Sequence, residues 1–184
     1  MADTIMLEIV TPTGVALRKE VTDVTAPSVA GEFGVMPGHL PLLAALRTGL
    51  VTYHESGKEF RLAVAHGFVE VVGDKALLLT EKFVNKDDVD VVRVRLRLKE
   101  VDAELDHWQG DLTDPKRRIL IEEEQWLATQ LELIGDPPLP LVREDTRFLA
   151  EHAEAPPVDE MVDGQTPDES LTDHKKPGSA FPQS

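Results

Sequence analysis

Histidine, serine and acidic side chains are the groups in this chain that could carry catalysis or bind a metal, yet their spacing assembles no such centre. No two histidines are spaced to chelate an ion from one helix face. Ser28 and Ser56 fall in predicted loops without a patterned histidine partner. The chain lacks cysteine, which excludes disulfides and thiolate metal sites. We therefore predict no catalytic residue, no metal and a protein that is not itself an enzyme.

The most unusual segment, residues 31–43, combines glycine, proline and apolar residues in a mixture that is atypical of a regular strand. One interpretation is a pair of tight turns whose leucines enter the core. The other is a rigid loop that presents flexible or polar side chains to a partner. The leucines are Leu40, Leu42 and Leu43, and the presented side chains are Glu32, Met36 and His39.

Residues 1–85 have the pattern of short β-strands. Ile5, Leu7 and Ile9 alternate with other residues, as in a strand with one buried face. Gly73-Asp74 separates two apolar runs, which is the signal of a two-residue β-hairpin loop. Short strands about ten residues apart predict an antiparallel β-sandwich in this part of the chain.

Residues 86–135 switch to a helical period, with apolar residues at alternating steps of three and four. This stripe consists of Val91, Val94, Leu98, Val101, Leu105 and Trp108. Asp87 or Asp88 is the predicted N-cap of the first helix, and Gly110-Asp111 is its predicted end.

A second helix has clear boundary signals in Asp114 as the cap, Pro115 at the first position and Gly135 just past the end. Two helices with a link of about five residues predict an antiparallel helical hairpin. The three glutamates at 122–124 point in three directions on a helix, so we interpret them as a solvated face rather than a cation site.

Residues 136–184 form a tail that holds 8 of the 13 prolines, with eleven acidic residues against four basic ones. So few apolar residues cannot offset the entropy of ordering, and we predict that this tail is mostly disordered. The predicted fold class is therefore α+β. It comprises an N-terminal antiparallel β-sandwich, a C-terminal α-helical hairpin and a disordered acidic, proline-rich tail.

The formal net charge of the whole chain is -15, which makes nucleic acid and anionic membranes poor partners. Its apolar runs are far shorter than the roughly 20 residues of a membrane span. The first residues lack the basic region and long apolar stretch of a secretory signal. We predict a soluble protein of a reducing compartment that binds no nucleic acid and does not insert into a membrane.

Residues 31–51, GEFGVMPGHLPLLAALRTGLV, closely resemble the signature of the epsilon subunit of F-type ATP synthase. That family has a Gly-Glu-x-Gly turn, a Pro-Gly-His-x-Pro-Leu-Leu string and then a glycine-bounded strand. Residues 63–81 are similar to its Gly-Gly-Phe/Ile-x-Glu-Val β-hairpin, and residues 86–105 to the start of its helical hairpin. The resemblance extends over the first 135 of the 184 residues.

The resemblance implies a non-catalytic subunit of the proton-translocating F-type ATP synthase, in its F1 sector. In the family, the β-sandwich binds the gamma subunit and rests on the c-ring, forming the central stalk of a rotary motor. The helical hairpin folds against the sandwich or extends along gamma toward the catalytic alpha/beta hexamer, where it brakes ATP hydrolysis. The implied location is peripheral, on the cytoplasmic face of the energy-transducing inner membrane.

Three loop residues take partner-binding roles from the resemblance. Glu32 matches the family position that faces the c-ring loop, and His39 matches a position that faces gamma. Met36 is flexible and apolar and suits either partner.

Some family members bind ATP on the folded helical hairpin through an Ile/Leu-Asp-x-x-Arg-Ala motif. Here residues 89–94 read Val-Asp-Val-Val-Arg-Val, so Asp90 and Arg93 remain candidate nucleotide-binding residues. The family's arginines in the second helix have no match, and the glutamates at 122–124 would repel a triphosphate. We predict no cofactor, with ATP as a candidate regulatory ligand. The alternative function is a nucleotide-sensing module that acts through the helical hairpin.

The basic residues at the start of the second helix are candidate inhibitory contacts. The resemblance implies that an extended helical hairpin meets an acidic region of the beta subunits. Lys116, Arg117 and Arg118 are the matching cations here, followed by the acidic middle of the helix.

Overall fold

Ten β-strands, a short 3-10 helix and two α-helices form the computed structural model, which describes residues 3–138. The strands are β1 Ile5–Thr11, β2 Gly14–Val21, β3 Asp23–Ser28, β4 Gly31–Val35, β5 Leu42–Leu46, β6 Gly49–Glu55, β7 Lys58–Val64, β8 Gly67–Val71, β9 Lys75–Thr80 and β10 Phe83–Asn85. The helices are the 3-10 helix Lys86–Asp88, α1 Val91–Asp106 and α2 Pro115–Ile134. The predicted tail at 136–184 lies outside the described residues except for 136–138.

The β-hairpin between β8 and β9 forms where the sequence predicts it. The Val72 N–H donates to the Lys75 carbonyl at 3.0 Å, so Gly73 and Asp74 are the two loop residues. Gly73 has a φ of 58°, a left-handed conformation that favours glycine. The turn therefore sets the register that pairs Val71 with Ala76.

The strands form one hydrogen-bonded path in the order β10-β7-β6-β3-β5-β8-β9-β1-β2, with β4 added beside β3. The path folds back on itself and brings β2 close to β6. The Lys19 ammonium on β2 contacts the Glu55 carboxylate on β6 at 2.9 Å. The inward faces enclose an apolar core in which Ile5, Leu7 and Ile9 are buried, as their alternation predicts. The predicted β-sandwich is confirmed.

One strand pair departs from the predicted antiparallel arrangement. β1 and β9 are parallel, with Leu7 opposite Ala76 and Ile9 opposite Leu78. A β-hairpin turn forces its two strands to be antiparallel, but β1 and β9 are separated by most of the sandwich and no turn sets their direction. The sequence pattern cannot reveal this pair, because parallel and antiparallel neighbours bury the same alternate residues.

A buried carboxylate joins the three strands β2, β1 and β9. Glu8 is 6% exposed, and its side chain accepts from the Lys75 ammonium at 2.6 Å and from the Arg18 guanidinium at 2.7 Å. These hydrogen bonds, from Lys75 first and then Arg18, lower the pKa of Glu8. The ionised form is therefore favoured in the folded chain.

Substituting Glu8→Gln is expected to make the stability of the fold less dependent on pH in the acidic range. A lowered folded-state pKa gives stability that is present above the unfolded value of 4.5 and lost as pH falls through the folded pKa. Thermal unfolding from neutral to acidic pH measures this dependence. Glu70→Gln, at an exposed position on β8, is the matched control and should show the same pH dependence of stability as the parent. Equal acid sensitivity in the parent and the Glu8 variant would contradict the assignment.

Helix α1 is shorter at both ends than the sequence predicts. Its N-cap is Asp90, whose carboxylate accepts from the Arg93 N–H at 3.1 Å, whereas Asp87 and Asp88 belong to the preceding 3-10 helix. The prediction of Asp87 or Asp88 was wrong, because the extended backbone at Asp90 aims the nearer carboxylate at the first free N–H groups. α1 also ends at Asp106, before Trp108.

Trp108 leaves the helix because its indole joins the link between the helices. The Nε1–H donates to the Asp111 carbonyl at 3.1 Å. A Cβ added at Gly110 would lie 3.0 Å from the ring, so glycine permits this close approach. The link spans residues 107–114, longer than the five residues predicted.

Helix α2 has the predicted boundaries. The Asp114 carboxylate caps it by accepting from the Lys116 N–H at 2.8 Å, and Pro115 occupies the first helical position. Gly135 ends it with a φ of 88°. α1 and α2 share an apolar core of Val94, Leu98, Val101, Leu105, Leu127 and Leu131.

The helical hairpin packs against the sandwich in this structure. α2 contacts β6 and β7, and the sandwich and both helices belong to one compact unit. The sandwich core contains no helix residue, so each part has an apolar core of its own.

Candidate partner-binding site

The loop between β4 and β5 is a rigid turn. The His39 N–H donates to the Met36 carbonyl at 3.1 Å, with Pro37 at the second position of the turn and Gly38 at the third. Gly38 has a φ of 77°, as a type II turn requires. The Gly38 N–H also donates to the Asp74 carboxylate at 3.2 Å, which ties the loop to the β8–β9 turn. The loop is therefore held from two sides.

The leucines of this loop decide between its two interpretations. Leu40 is 80% exposed and Leu43 is 74% exposed, so their assignment to the core was wrong. β5 starts at Leu42, and its alternation turns Leu42 and Leu46 inward and Leu43 outward. The loop presents apolar side chains to the exterior, as a partner-facing loop would.

The predicted partner-binding residues do not form one cluster. Met36 and His39 share the turn, whereas Glu32 lies near the opposite end of β4, beside the β3–β4 turn. Four residue steps of extended chain place Glu32 and Met36 roughly 13 Å apart. Glu32 and Met36 are exposed and His39 is half-buried. The two ends of β4 therefore suit two different contacts.

The imidazole of His39 is oriented by the backbone of the next residue, Leu40. Its Nδ1 lies 2.6 Å from the Leu40 carbonyl, which only accepts, so Nδ1 carries the hydrogen. In that tautomer, Nε2 is the nitrogen that faces a neighbouring group.

An exposed apolar surface on the sandwich extends the site beyond the residues that the sequence predicts. Leu43 on β5, Phe68 on β8 and Leu79 on β9 form this outer apolar patch, with Phe68 57% and Leu79 45% exposed. Phe68 lies opposite Leu79 in the ladder, and Leu43 lies one side-chain row away on the same face. Exposed apolar clusters of this kind mark protein interfaces. In the sequence, the signal that could have revealed this patch is the occurrence of apolar residues on both faces of β8.

Asp90 and Arg93, the candidate nucleotide-binding pair, are in contact through the backbone of Arg93. The Asp90 carboxylate caps α1, and Arg93 is exposed. One carboxylate oxygen of Asp90 is therefore already engaged in the helix cap.

The glutamates at 122–124 are not a simple solvated face, so that interpretation was wrong. Glu123 accepts two hydrogen bonds from the Arg97 guanidinium of α1, at 2.7 and 2.8 Å. Arg97 thereby lowers the pKa of Glu123, and Glu123 in turn raises the pKa of Arg97. Glu122 contacts Arg118 at 3.4 Å. The acidic run therefore helps to join α1 to α2.

The three cations at the start of α2 have different surroundings. Arg117 is only 7% exposed, whereas Lys116 and Arg118 are exposed. In this packing they present two accessible cations rather than a continuous basic cluster.

Within residues 3–138, no cluster of acidic and histidine side chains has the arrangement of a metal site. No helix in the same range is long and apolar enough to cross a membrane.

Comparison with known proteins decides the family. Residues 4–86 match the family described as ATP synthase, Delta/Epsilon chain, beta-sandwich domain. ATP synthase epsilon chain 2 of Syntrophotalea carbinolica is 40% identical over 105 residues, covering 57% of this chain and 76% of that relative. The chain belongs to the ATP synthase epsilon family. The epsilon chain of Geobacter metallireducens is 39% identical over the same share of each chain.

The epsilon fold also recurs in solved structures. A chain of the Euglena gracilis mitochondrial ATP synthase, solved as an OSCP/F1/c-ring assembly, superposes with a TM-score of 0.60 at 21% identity. The match covers 72% of this epsilon-family chain and 81% of that chain. At this identity the likeness concerns the fold.

Proposed function

We propose that this chain is a non-catalytic central-stalk subunit of a proton-translocating F-type ATP synthase. It couples rotation of the c-ring, through the gamma subunit, to catalytic sites on other chains. It is peripheral, on the cytoplasmic face of the energy-transducing inner membrane. The outer apolar patch carries this proposal, because Leu43, Phe68 and Leu79 expose a large apolar surface on a rigid sandwich.

The gamma subunit is the proposed partner of the outer apolar patch together with Met36 and His39. The loop's hydrogen bond to Asp74 holds Met36 at the same end of the sandwich as the β8–β9 turn. Phe68 and Leu79 pair near the other end of the β8–β9 ladder, so the proposed surface runs along the face of the sandwich. Ordered strands and a fixed turn support tight binding, since little conformational entropy is lost.

The c-ring is the proposed partner of Glu32. The carboxylate is exposed near the β3–β4 turn, which Ser28 stiffens by donating its hydroxyl to the Gly31 carbonyl at 2.7 Å. A short, stiff turn with a terminal charge suits contact with a polar loop of another subunit.

Substituting Glu32→Lys is expected to weaken attachment of the gamma-bound chain to the c-ring while leaving binding to gamma unchanged. Charge reversal at a rim contact replaces attraction with repulsion. Co-sedimentation with c-ring-containing membranes measures the loss. Glu20→Lys, an exposed site on β2, is the matched control and should behave like the parent. Unchanged attachment of the Glu32 variant would contradict this contact.

The helical hairpin is proposed to brake ATP hydrolysis after leaving the sandwich and reaching the alpha/beta hexamer. Lys116 and Arg118 are exposed and available for such a contact, whereas Arg117 is buried. Separate apolar cores in the sandwich and the helical hairpin support this two-position behaviour.

Ending the chain after Asp87 is expected to raise ATP hydrolysis by the assembled complex severalfold. The sandwich core lies wholly before that point, so binding to gamma should persist. Steady-state ATPase of reconstituted complexes measures the change, with bound chain quantified as the control. Equal ATPase rates with and without α1 and α2 would exclude the brake.

The alternative function, a nucleotide-sensing module with ATP as its regulatory ligand, rests on Asp90 and Arg93. Titration of the isolated chain with ATP separates the two proposals. Saturable binding that Arg93→Ala removes would support the sensor, and absence of binding would leave only the rotor role. We favour the latter, because Asp90 already caps α1.

A further inference from the structure

A groove between the sandwich and α2 contains charged side chains from both sides. Its cavity is about 230 Å³. The sandwich contributes Thr48, Ala65, His66, Glu81 and Lys82, and α2 contributes Ile119, Glu122, Glu123 and Trp126. The groove therefore lies where the helical hairpin would separate from the sandwich.

The side-chain contacts of the groove's carboxylates each stay within the sandwich or within the helical hairpin. Glu81 lies 3.3 Å from His66, and both belong to the sandwich. Glu122 pairs with Arg118 within α2, and Glu123 pairs with Arg97 within the helical hairpin. These contacts stabilise each part but do not hold the two parts together.

Lys82 makes a charged contact that crosses the groove. Its ammonium lies 5.9 Å from the centroid of the Trp126 ring, within the range of a cation–π interaction. The hydrogen-bonded Arg97 guanidinium is the main cause of the lowered pKa of Glu123, and the positive charge of Lys82 adds to it. One sandwich cation therefore faces both an aromatic ring and a carboxylate of α2.

The backbone of Lys82 is held in place for this contact. The buried Thr80 hydroxyl donates to the Lys82 carbonyl at 3.1 Å, and the Ala65 N–H donates to the same carbonyl at 3.0 Å. A fixed backbone restricts where the ammonium can reach, so only the side-chain torsions of Lys82 have to be ordered for its contact with Trp126.

We propose that Lys82 and Trp126 form a latch that holds the helical hairpin against the sandwich. Without the Lys82 charge, Glu81 on one side would face Glu122 and Glu123 on the other, and the like charges would favour separation. The latch concerns the isolated chain, so its test is independent of the proposed partners.

The test uses full-length chain with nitroxide labels at Lys58→Cys and Gln125→Cys, both exposed positions, in a chain that has no other cysteine. Pulsed electron resonance then reports the distance between sandwich and α2. Lys82→Glu should raise the population with a longer distance about tenfold, since cation–π attraction is replaced by repulsion. Lys82→Arg keeps the charge and should give the parent distribution.

Lys99→Glu is the matched control, because it makes the same charge change at an exposed position of α1 outside the groove. It should leave the distance distribution unchanged. Sodium chloride at about 1 M, which shortens the screening length to about 3 Å, should raise the separated population of the parent. A Lys82→Glu distribution equal to the parent, or an equal shift in Lys99→Glu, would overturn the latch. An unfolding curve of each variant, recorded by circular dichroism, verifies that its sandwich is folded before unfolding begins.

Discussion

Substituting Gly67→Ala is expected to lower the free energy of unfolding by about 3–5 kcal/mol. A Cβ at Gly67 would lie 1.9 Å from the Leu79 carbonyl oxygen and 2.9 Å from its carbon. These are backbone atoms, and β9 is held between β8 and β1, so they cannot move aside cheaply. Chemical denaturation of the purified chain measures the loss.

Gly34→Ala is the matched control for the Gly67 substitution. Gly34 lies in β4, and an added Cβ there would meet no atom within 4 Å. We expect a change within about 0.5 kcal/mol, typical of an open surface position. Similar stability of the two variants would show that the close approach of β8 to Leu79 does not exist in solution.

Substituting Phe68→Asp is expected to weaken binding to the gamma subunit about a hundredfold, the effect of removing a central interface residue. Phe68 lies at the centre of the outer apolar patch, between Leu43 and Leu79. A carboxylate there would have to lose its hydration against an apolar partner. Because Phe68 is 57% exposed, the sandwich core is not disturbed. Calorimetric titration with purified gamma measures the affinity.

Leu96→Asp controls for the general effect of adding a charge to the chain. Leu96 is 61% exposed, but it lies on α1, outside the patch. Its affinity for gamma should equal that of the parent. Loss of affinity in both variants, or in neither, would contradict the assignment of the outer apolar patch as the gamma-binding surface.

Local signals predicted those parts of the fold that local chemistry controls. Asp114, Pro115 and Gly135 bound α2 as predicted, because capping and a left-handed glycine act within a few residues. The Gly73-Asp74 loop likewise sets the β8–β9 register through its own backbone. At α1 the local signals were ambiguous, because three acidic residues could each cap the helix and only Asp90 does so.

Features that depend on distant parts of the chain could not be predicted. The parallel pairing of β1 with β9 requires knowledge of which strands meet across the sandwich. The choice between the two interpretations of the loop could not be made for the same reason, since Leu43 is apolar but faces outward. The pairing of Glu123 with Arg97 joins two helices, and the sequence pattern of either helix alone does not contain it.

Copurification of the full-length chain with the gamma subunit of its own ATP synthase tests the proposed role most directly. A folded sandwich with an accessible outer apolar patch should retain gamma in a one-to-one complex, whichever position the helical hairpin takes. If the chain is folded and gamma passes through the column unbound, the central-stalk function proposed for this protein is wrong.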